Sequence, residues 1–234
     1  MSNEPDSIHR YTDLPGLLYL LQRKKLTLLD PASWDDTNDS HFLAVYKQAK
    51  KLKCLAALCF SEADETYHHW RVFSSGTGGV RITFRKTNLL KTIHPIKEIR
   101  ANKIDYRLLD ELQYRSLKIQ ELPFVKRYPY KDEDEYRLIY ESTIKQQSSV
   151  DIDIPLKLIR RISLSPWMNK LVANTVKEVI KSIPGCGRIN VSRSTLIGNE
   201  EWMAFGNAAM ITNSTAGPFV SYGNIDGDWP RSFE

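Results

Sequence analysis

The apolar run CLAALCFS at residues 54–61 is the feature that most constrains the fold of this chain. A continuous run of this length, without alternation, is typical of a buried strand. The chain has 234 residues, which is enough to build a core around such a strand, and its hydrophobic content of 41% is ordinary for a globular protein. No stretch reaches the roughly 18 apolar residues that a membrane-spanning helix needs. We therefore expect a globular domain that contains this strand.

Other segments predict short strands with a few helices between them. Asp13 is a plausible N-cap for the leucine-rich helix LPGLLYLLQRKK, and residues 42–53 have an amphipathic helical pattern. The segment SWDDTND between them is either a solvated turn or a loop that shapes a cleft. Together these patterns predict an α+β fold, with one domain over residues 1–210 and an irregular C-terminal tail over residues 211–234.

The segment KDEDEYRLIYE, residues 131–141, shows a strict two-residue alternation. On a strand, one face would carry Glu133, Glu135 and Arg137, and the opposite face would pack on the core through Tyr136, Leu138 and Tyr140. Two interpretations stay open. The acidic face is half exposed and opposes basic residues of a neighbouring strand, or it presents two carboxylates about 7 Å apart to a cleft.

Three kinds of chemistry use carboxylates in such a cleft. The pair could hold Mg²⁺ in a nuclease, together with Asp35, Asp36 or Asp39. The pair could also hydrolyse a glycoside. Alternatively, one carboxylate could stabilise the positive charge that develops on a ribose when nicotinamide leaves NAD. The residues alone do not choose among these chemistries.

The charge balance is basic, with a formal net charge of +5 and an isoelectric point of about 9.0. A nucleic-acid partner and a plain solvated surface both agree with these values, because the Lys and Arg residues form only short clusters. The three cysteines are an odd number without a CxxC pair, so we expect neither a disulfide framework nor a structural zinc site. The N-terminus does not have the pattern of a secretory signal. We expect a reduced cytoplasmic protein with no membrane partner.

Two polar features stand next to the predicted strands. Ser61 ends the buried run before a helix, where it could contact a ligand or act as an N-cap. His68 and His69 are neighbours on a predicted helix, so their side chains point apart and do not form a two-ligand metal site. We expect an exposed histidine pair there, and the favoured interpretation contains no metal site.

Taken in order, these motifs resemble a widespread bacterial family whose function is unknown. Its members begin with a Tyr-Arg/Lys-Tyr strand and a leucine-rich helix, as in HRYTDLPGLLYLLQRKK, and continue with Cys-Phe-Ser, present here at residues 59–61. A Trp-x-x-Tyr helix, a Gly before an apolar strand and Glu-x-Glu-x-Arg follow, here as WRVF, GGVRITF and EDEYR. The resemblance covers about residues 9–200. Two positions depart from it, because SWDDTND replaces Phe-Asn-Asp-Pro and Phe73 replaces a tyrosine whose hydroxyl is therefore missing.

The same layout is similar to that of the ADP-ribosyltransferase superfamily, including DarT-like toxins that modify DNA bases. The resemblance implies a split, mostly antiparallel sheet core flanked by helices, and NAD as the cofactor consumed in the reaction. It implies that Glu135 is the catalytic carboxylate, that Glu133 supports it or activates the acceptor, and that Arg137 acts with them or pairs with a glutamate. The residues implied to contact NAD are His9 or Arg10 at its phosphates or ribose, Tyr11 or Trp70 at the nicotinamide, and Ser61 at the nicotinamide ribose.

The resemblance favours one function and leaves two alternatives. The favoured function is an NAD-dependent ADP-ribosyltransferase that modifies RNA or DNA, as a toxin in a toxin–antitoxin or anti-phage system, with an antitoxin protein as a possible partner. The alternatives are a Mg²⁺-dependent nuclease that uses Asp39, Glu133 and Glu135, and a nucleic-acid-binding module without catalysis. The fold is a weak guide to function by itself, so the site must decide.

Overall fold

The computed structural model describes residues 6–74 and 76–215, and the chain divides into two compact units, Met1–Leu196 and Ile197–Glu234. The strands of the described part all belong to the first unit: β1 Ser7–Asp13, β2 Lys25–Leu29, β3 Cys54–Ser61, β4 Gly79–Arg85, β5 Ile99–Lys103, β6 Asp105–Arg107, β7 Val125–Arg127, β8 Glu135–Ser142, β9 Ser149–Asp153, β10 Ile159–Leu164 and β11 Asn190–Arg193. Its helices are α1 Leu14–Arg23, α2 Thr37–Ala49, α3 Tyr67–Phe73, α4 Lys86–Ile93, α5 Leu109–Tyr114 and α6 Lys170–Ser182.

Most strands of the first unit join one mixed sheet of nine strands. The order along the sheet is β11-β10-β4-β1-β3-β2-β9, and β8 pairs with both β3 and β5. Within this sheet the β10–β11 pair is parallel and the other pairs are antiparallel. β6 and β7 form a separate parallel pair. The α+β class with a mostly antiparallel sheet is therefore confirmed.

The sheet is split near its middle. β1 and β3 are paired only where His9 lies opposite Ser61, whereas β3 and β8 stay paired along their whole length from Cys54–Ser142 to Ser61–Glu135. β1 pairs in turn with β4 from Ser7 to Asp13. Polar residues from both parts of the sheet are thus brought together at the point where the two parts meet.

The strand β3 is buried on both faces, as the run CLAALCFS predicts. Alternate residues from Cys54 to Phe60 belong to a large core that also contains apolar residues of α1, α4 and α6. Leu55 and Ala57 point to the other face, where they join a smaller core with Leu43 and Tyr46 of α2. Ile139 of β8 packs in the smaller core as well. The face that α2 covers is also the face on which Ser61, Glu135 and Arg137 stand.

Helix α1 confirms one prediction and α2 corrects another. The Asp13 side chain accepts a hydrogen bond from the Gly16 amide and caps α1 as expected. Helix α2 begins at Thr37 rather than at residue 42, because the Asp36 carboxylate accepts hydrogen bonds from the amides of Asn38 and Asp39. Asp39 therefore lies in the first turn of a helix, and its side chain is buried.

The second unit contains helix α7, Glu200–Thr215. This helix extends into the first residues of the segment predicted as an irregular tail. The rest of that segment, residues 216–234, lies outside the described residues, and the boundary at residue 210 stays a prediction. Among the described helices, none combines the length and the apolar character that crossing a membrane requires.

Candidate active site

A cavity of about 580 Å³ lies where the two parts of the sheet meet. This volume is in the range of pockets that bind small molecules and cofactors. Its walls come from β1, the end of β2, β3, the residues around the start of α2, the end of α3, β7 and the segment that leads into β8. The lining residues are His9, Arg10, Tyr11, Leu29, Trp34, Asp35, Asp36, Asp39, Ala57, Leu58, Cys59, Phe60, Ser61, Val72, Phe73, Lys126, Tyr130, Glu133 and Glu135.

The register of β3 against β8 fixes the polar floor of this cavity. Ser61 lies directly opposite Glu135, and Cys59 lies directly opposite Arg137. His9 of β1 lies opposite Ser61 on its other side. Residues that are far apart in the sequence therefore form one row across three adjacent strands, His9–Ser61–Glu135.

Glu135 is a buried and ionised carboxylate. Its side chain is only 3% exposed, its Oε1 accepts a hydrogen bond from Arg137 Nε at 2.7 Å, and its Oε2 accepts one from Arg137 Nη2 at 3.0 Å. Burial by itself raises the pKa of Glu135, but Arg137 and Lys126 outweigh that effect and lower its pKa to about 2. Glu135 thus carries a negative charge at every physiological pH.

Arg137 is fully buried behind Glu135 and does not line the cavity. Its guanidinium donates to both oxygens of Asp39, at 2.8 and 2.6 Å, and to the Pro123 carbonyl oxygen at 2.9 Å. A bidentate pair of this kind fixes orientation as well as charge. Of the two roles predicted for Arg137, the geometry supports pairing with Glu135 and positioning it.

Lys126 is a second cation in this cluster. Its Nζ lies 2.6 Å from Glu133 Oε2, 3.4 Å from Glu135 Oε2 and 3.7 Å from Asp39 Oδ2. Burial lowers the pKa of Lys126, but the surrounding carboxylates outweigh that effect and raise it, so the side chain stays protonated. Three carboxylates therefore face two cations, so the cluster has a formal net charge of −1 when all three carboxylates are ionised.

Glu133 belongs to this cluster, but it lies on a different structural element from the one predicted. It ends a 3-10 helix, Tyr128–Glu133, and is not on the strand with Glu135. Asp134 between them adopts a left-handed conformation with φ of 43°, which breaks the two-residue alternation before β8 begins. Burial raises the pKa of Glu133, and Lys126 offsets this only in part. The prediction of a shared strand face was wrong for Glu133 and correct for Glu135 and Arg137.

Ser61 links β3 to the segment that carries Glu133. Its hydroxyl donates to the Glu133 carbonyl oxygen at 2.7 Å and accepts from the Ala63 amide at 3.1 Å. The N-cap of α3 is Thr66, so the N-cap interpretation of Ser61 was wrong. Ser61 lines the cavity, and it also fixes the position of the Glu133 backbone.

The predicted residues of β1 all line the cavity. His9 Nδ1 lies 3.1 Å from the Thr83 hydroxyl, and its pKa is lowered to about 3, first by burial and then by Arg81. Arg10 donates to the Cys59 carbonyl oxygen at 3.2 Å. Tyr11 is 7% exposed, and its hydroxyl has no hydrogen-bond partner among the described residues. Its role with NAD stays a prediction, as do those of His9 and Arg10.

Trp70 and the histidine pair require corrections. The Trp70 ring is fully buried behind Tyr11, with ring centroids 5.4 Å apart, and it does not line the cavity. Its indole donates to Glu65, so it supports Tyr11 and is not placed to stack on a ligand in the cavity. His69 is also buried, because its Nε2 bonds the Asp132 carbonyl oxygen at 2.8 Å; the prediction of an exposed pair holds for His68 alone.

No protein-family model matches this sequence, and no curated protein matches it either. Its fold is similar to that of DarT from Thermus sp. 2.9, at 14% identity. The complex of that protein with ADP-ribosylated ssDNA gives a TM-score of 0.42 and covers 82% of this chain and 95% of that chain. The complex with carba-NAD+ gives 0.41, with 82% and 97% covered, and the complex with NAD+ gives 0.40, with 83% and 98% covered. These values describe the path of the chain and assign no residue of the site.

Two important members of the cluster were not assigned a role by the favoured interpretation. Asp39 entered only as an alternative Mg²⁺ ligand, because SWDDTND predicts a solvated turn or a cleft loop and neither places Asp39 in a helix. The spacing of Asp36 and Asp39 at a helix N-terminus was the signal that could have placed it. Lys126 has no signal in its local sequence, since it lies on the short strand β7 and meets the carboxylates only through tertiary structure.

The two glutamates differ in the direction in which the site shifts their pKa. Glu135 is held ionised and oriented from behind, whereas Glu133 has a raised pKa. Two carboxylates with such different environments suit different tasks, one as a fixed negative charge and the other as a proton acceptor or donor. Cys59 lies between them and β1, but burial raises its pKa well above the ordinary value, so it is a thiol and not a nucleophile.

Proposed function

We propose that this chain is an NAD-dependent ADP-ribosyltransferase that modifies nucleic acid. The observation that carries the proposal is Glu135, an ionised carboxylate with a pKa of about 2 at the floor of a cavity of about 580 Å³. Such a group stabilises positive charge that develops on a bound molecule, and it does so most strongly where water is excluded. The order of motifs along the sequence supports the same chemistry.

The residues that are present fit NAD as the substrate. The cavity combines the polar row His9–Ser61–Glu135 with aromatic and apolar walls that include Trp34 and Phe73. The unpartnered hydroxyl of Tyr11 adds a buried donor that a ligand can satisfy. NAD would supply an ADP-ribosyl group on a glycosidic bond whose cleavage releases neutral nicotinamide.

In this proposal the residues of the chain have separate roles. Glu135 stabilises the positive charge that develops at the ribose C1′, and Arg137 holds the Glu135 carboxylate in place from behind through two hydrogen bonds. Glu133 takes the proton that the acceptor's nucleophilic atom loses as it bonds to C1′. Lys126 keeps the two carboxylates close in spite of their mutual repulsion.

The nature of the acceptor and the biological role belong to the proposal as well. A net charge of +5 favours a polyanion such as RNA or DNA as the acceptor. The resemblance to DarT-like toxins supports a role in a toxin–antitoxin or anti-phage system, with an antitoxin protein as partner and the cytoplasm as its location. A Mg²⁺-dependent nuclease is less favoured, because Arg137 and Lys126 already occupy the carboxylates that would bind the metal.

The experiment is transfer of label from NAD to nucleic acid. The protein is incubated with NAD labelled in its ADP-ribose part and with RNA, DNA and protein fractions. We expect label on nucleic acid, and we expect Glu135→Gln to lower the rate by about 10² to 10³, the range found when one charge-stabilising group is removed. Glu178→Gln is the control, because Glu178 is exposed on α6 away from the cavity.

Two results would overturn this proposal. One is that no fraction is labelled by the folded protein. The other is that Glu135→Gln, with its fold verified by thermal melting, transfers label as fast as the unchanged protein. Cleavage of nucleic acid that EDTA abolishes and NAD does not affect would support the nuclease in its place.

A further inference from the structure

Arg81 is a buried cation without a counterion in the described part of the chain. Its side chain lies on β4 and is 6% exposed. None of the ion pairs formed by residues 6–74 and 76–215 includes it, and its Nε has no hydrogen-bond partner there. Buried charges are normally paired, because removing a charge from water is costly.

The other buried cations of this unit show what Arg81 lacks. Arg137 bonds two carboxylates and a carbonyl oxygen, and Lys126 lies within 4.0 Å of three carboxylates. Glu65 is close to Tyr11, which is beside Arg81, but it accepts from the Trp70 indole and the Ser194 hydroxyl and forms no ion pair with Arg81 among the described residues. Residues 6–74 and 76–215 therefore supply no anion to Arg81.

Tyr11 adds a second unsatisfied donor at the same place. Tyr11 and Arg81 are directly opposite each other in the β1–β4 pair, and the guanidinium carbon lies 6.0 Å from the centre of the Tyr11 ring. The Tyr11 hydroxyl makes no hydrogen bond of normal geometry among the described residues, although Arg81 lies close enough to interact with its oxygen. Burial raises the pKa of Tyr11 and Arg81 offsets this only in part, so the hydroxyl remains neutral and its proton is free to be donated. A single anionic group could satisfy both residues.

Tyr11 connects this place to the cavity, whereas Arg81, opposite Tyr11 on β4, is not itself among the lining residues. Tyr11 and Phe73 line the cavity, and their rings are 6.1 Å apart. His9, two residues before Tyr11 on the same face of β1, belongs to the row that leads to Glu135. At about 3.3 Å per residue, Tyr11 lies roughly 7 Å further along the strand than His9. A ligand whose reacting end lies at Glu135 can therefore extend an anionic group toward Tyr11 and Arg81.

We infer that Arg81 and the Tyr11 hydroxyl form a binding site for a phosphate group. That an anion binds here follows from the geometry of the two residues, whereas the choice of phosphate rests on the proposed function. Phosphate is the anionic group shared by the dinucleotide and by a nucleic-acid acceptor. Arg81 is thus a positioning residue for one of these substrates, and no role was predicted for it from the sequence.

Equilibrium binding by calorimetry separates the two sources of phosphate. The probes are ADP-ribose, which cannot react, and a short single-stranded oligonucleotide. We expect Arg81→Met to weaken binding of one probe by about 30-fold, as for removal of one partner of a buried charge pair. If Arg81→Met binds ADP-ribose more weakly, the site belongs to the dinucleotide. If the variant binds only the oligonucleotide more weakly, the site belongs to the acceptor. Arg85→Met is the control, because Arg85 is on the same strand and bonds the Lys157 carbonyl oxygen outside the cavity.

Thermal melting without ligand tests whether Arg81 has a structural partner instead. Because the unpaired cation is costly, we expect Arg81→Met to melt at the same temperature as the unchanged protein or higher. If that variant does not fold, Tyr11→Phe tests the inference, since it removes only the hydroxyl that lacks a partner among the described residues. For Tyr11→Phe we expect weaker binding of the same probe and an unchanged melting temperature. The inference is overturned if the unchanged protein binds neither probe, or if the folded variants bind both probes as the unchanged protein does. Failure of label transfer from NAD would leave these binding results standing.

Discussion

Arg137 shows that the site is built for orientation and not for stability alone. A fully buried guanidinium with two carboxylates is often no more stable than a well-packed apolar group of similar volume. Here the two carboxylates are on different elements, Asp39 on α2 and Glu135 on β8. The guanidinium therefore fixes the direction of the Glu135 carboxylate relative to the cavity. We interpret this buried network as the support that holds the Glu135 carboxylate in place.

Lys126 is the cation shared by three carboxylates of this site. It lies between Asp39, Glu133 and Glu135, so Lys126→Met leaves the buried Asp39 and Glu135 with Arg137 alone and removes the cation that pairs with the partly buried Glu133. We expect the variant to lose about 3 to 5 kcal/mol in free energy of unfolding at pH 7, as when one partner of a buried ion pair is removed. Denaturation in urea at pH 7 measures this loss.

The same variant should recover part of its stability in mild acid. Without Lys126 the raised pKa of Glu133 rises further, so the folded state takes up a proton more readily than the unfolded state. Stability conferred by such a raised pKa is lost as pH increases and regained as pH falls. Lys131→Met, at an exposed lysine of the neighbouring 3-10 helix, serves as the control. Equal stability of Lys126→Met and the unchanged protein at pH 7 would contradict the role given to Lys126.

At the scale of elements, the start of α2 places Asp39 against Arg137. The Asp36 carboxylate caps the helix, with its Oδ1 at 3.0 Å from the Asn38 amide and 3.4 Å from the Asp39 amide. The cap therefore orients the turn that carries the Arg137 partner. The hydrogen bonds of the Asp36 cap are thus connected to the Glu135 carboxylate through two buried residues, Asp39 and Arg137.

The contribution of the Asp36 cap to stability can be measured directly. We expect Asp36→Ala to cost about 0.5 to 2 kcal/mol in free energy of unfolding, the usual range for loss of an N-cap, and Asp36→Ser to restore most of it. Denaturation in urea of the three proteins side by side measures both values. If the alanine and serine variants are equally stable, the cap does not hold this turn in place.

The whole molecule shows which features a sequence can predict and which it cannot. The Asp13 cap, the buried strand β3 and the neighbouring positions Glu135 and Arg137 follow from local patterns, and all are present. The meeting of His9, Ser61 and Glu135 depends on strand register, which is set by contacts between distant segments. A polar residue outside a clear pattern is most simply read as solvated, and for that reason Lys126 and Arg81 received no role.

The response of the whole protein to acid depends on the complete charge network. Glu135 has a folded pKa of about 2, compared with about 4.3 in an unfolded chain. A carboxylate with a lowered folded pKa stabilises the protein above its unfolded pKa, and this stability is lost as pH falls through the folded pKa. The difference of roughly two pH units corresponds to about 3 kcal/mol.

Glu135→Gln isolates this contribution, because every other carboxylate is common to the two proteins. We expect the variant to be less stable than the unchanged protein at pH 6 and the difference to shrink as pH falls from about 4.3 toward 2. Denaturation in urea at a series of pH values gives both curves, and Glu178→Gln, at an exposed residue of α6, should follow the unchanged protein throughout. A difference between Glu135→Gln and the unchanged protein that stays constant over this range would mean that Glu135 is not held ionised by Arg137 and Lys126. In that case the chain would lack the fixed negative charge on which the proposed transfer of ADP-ribose depends.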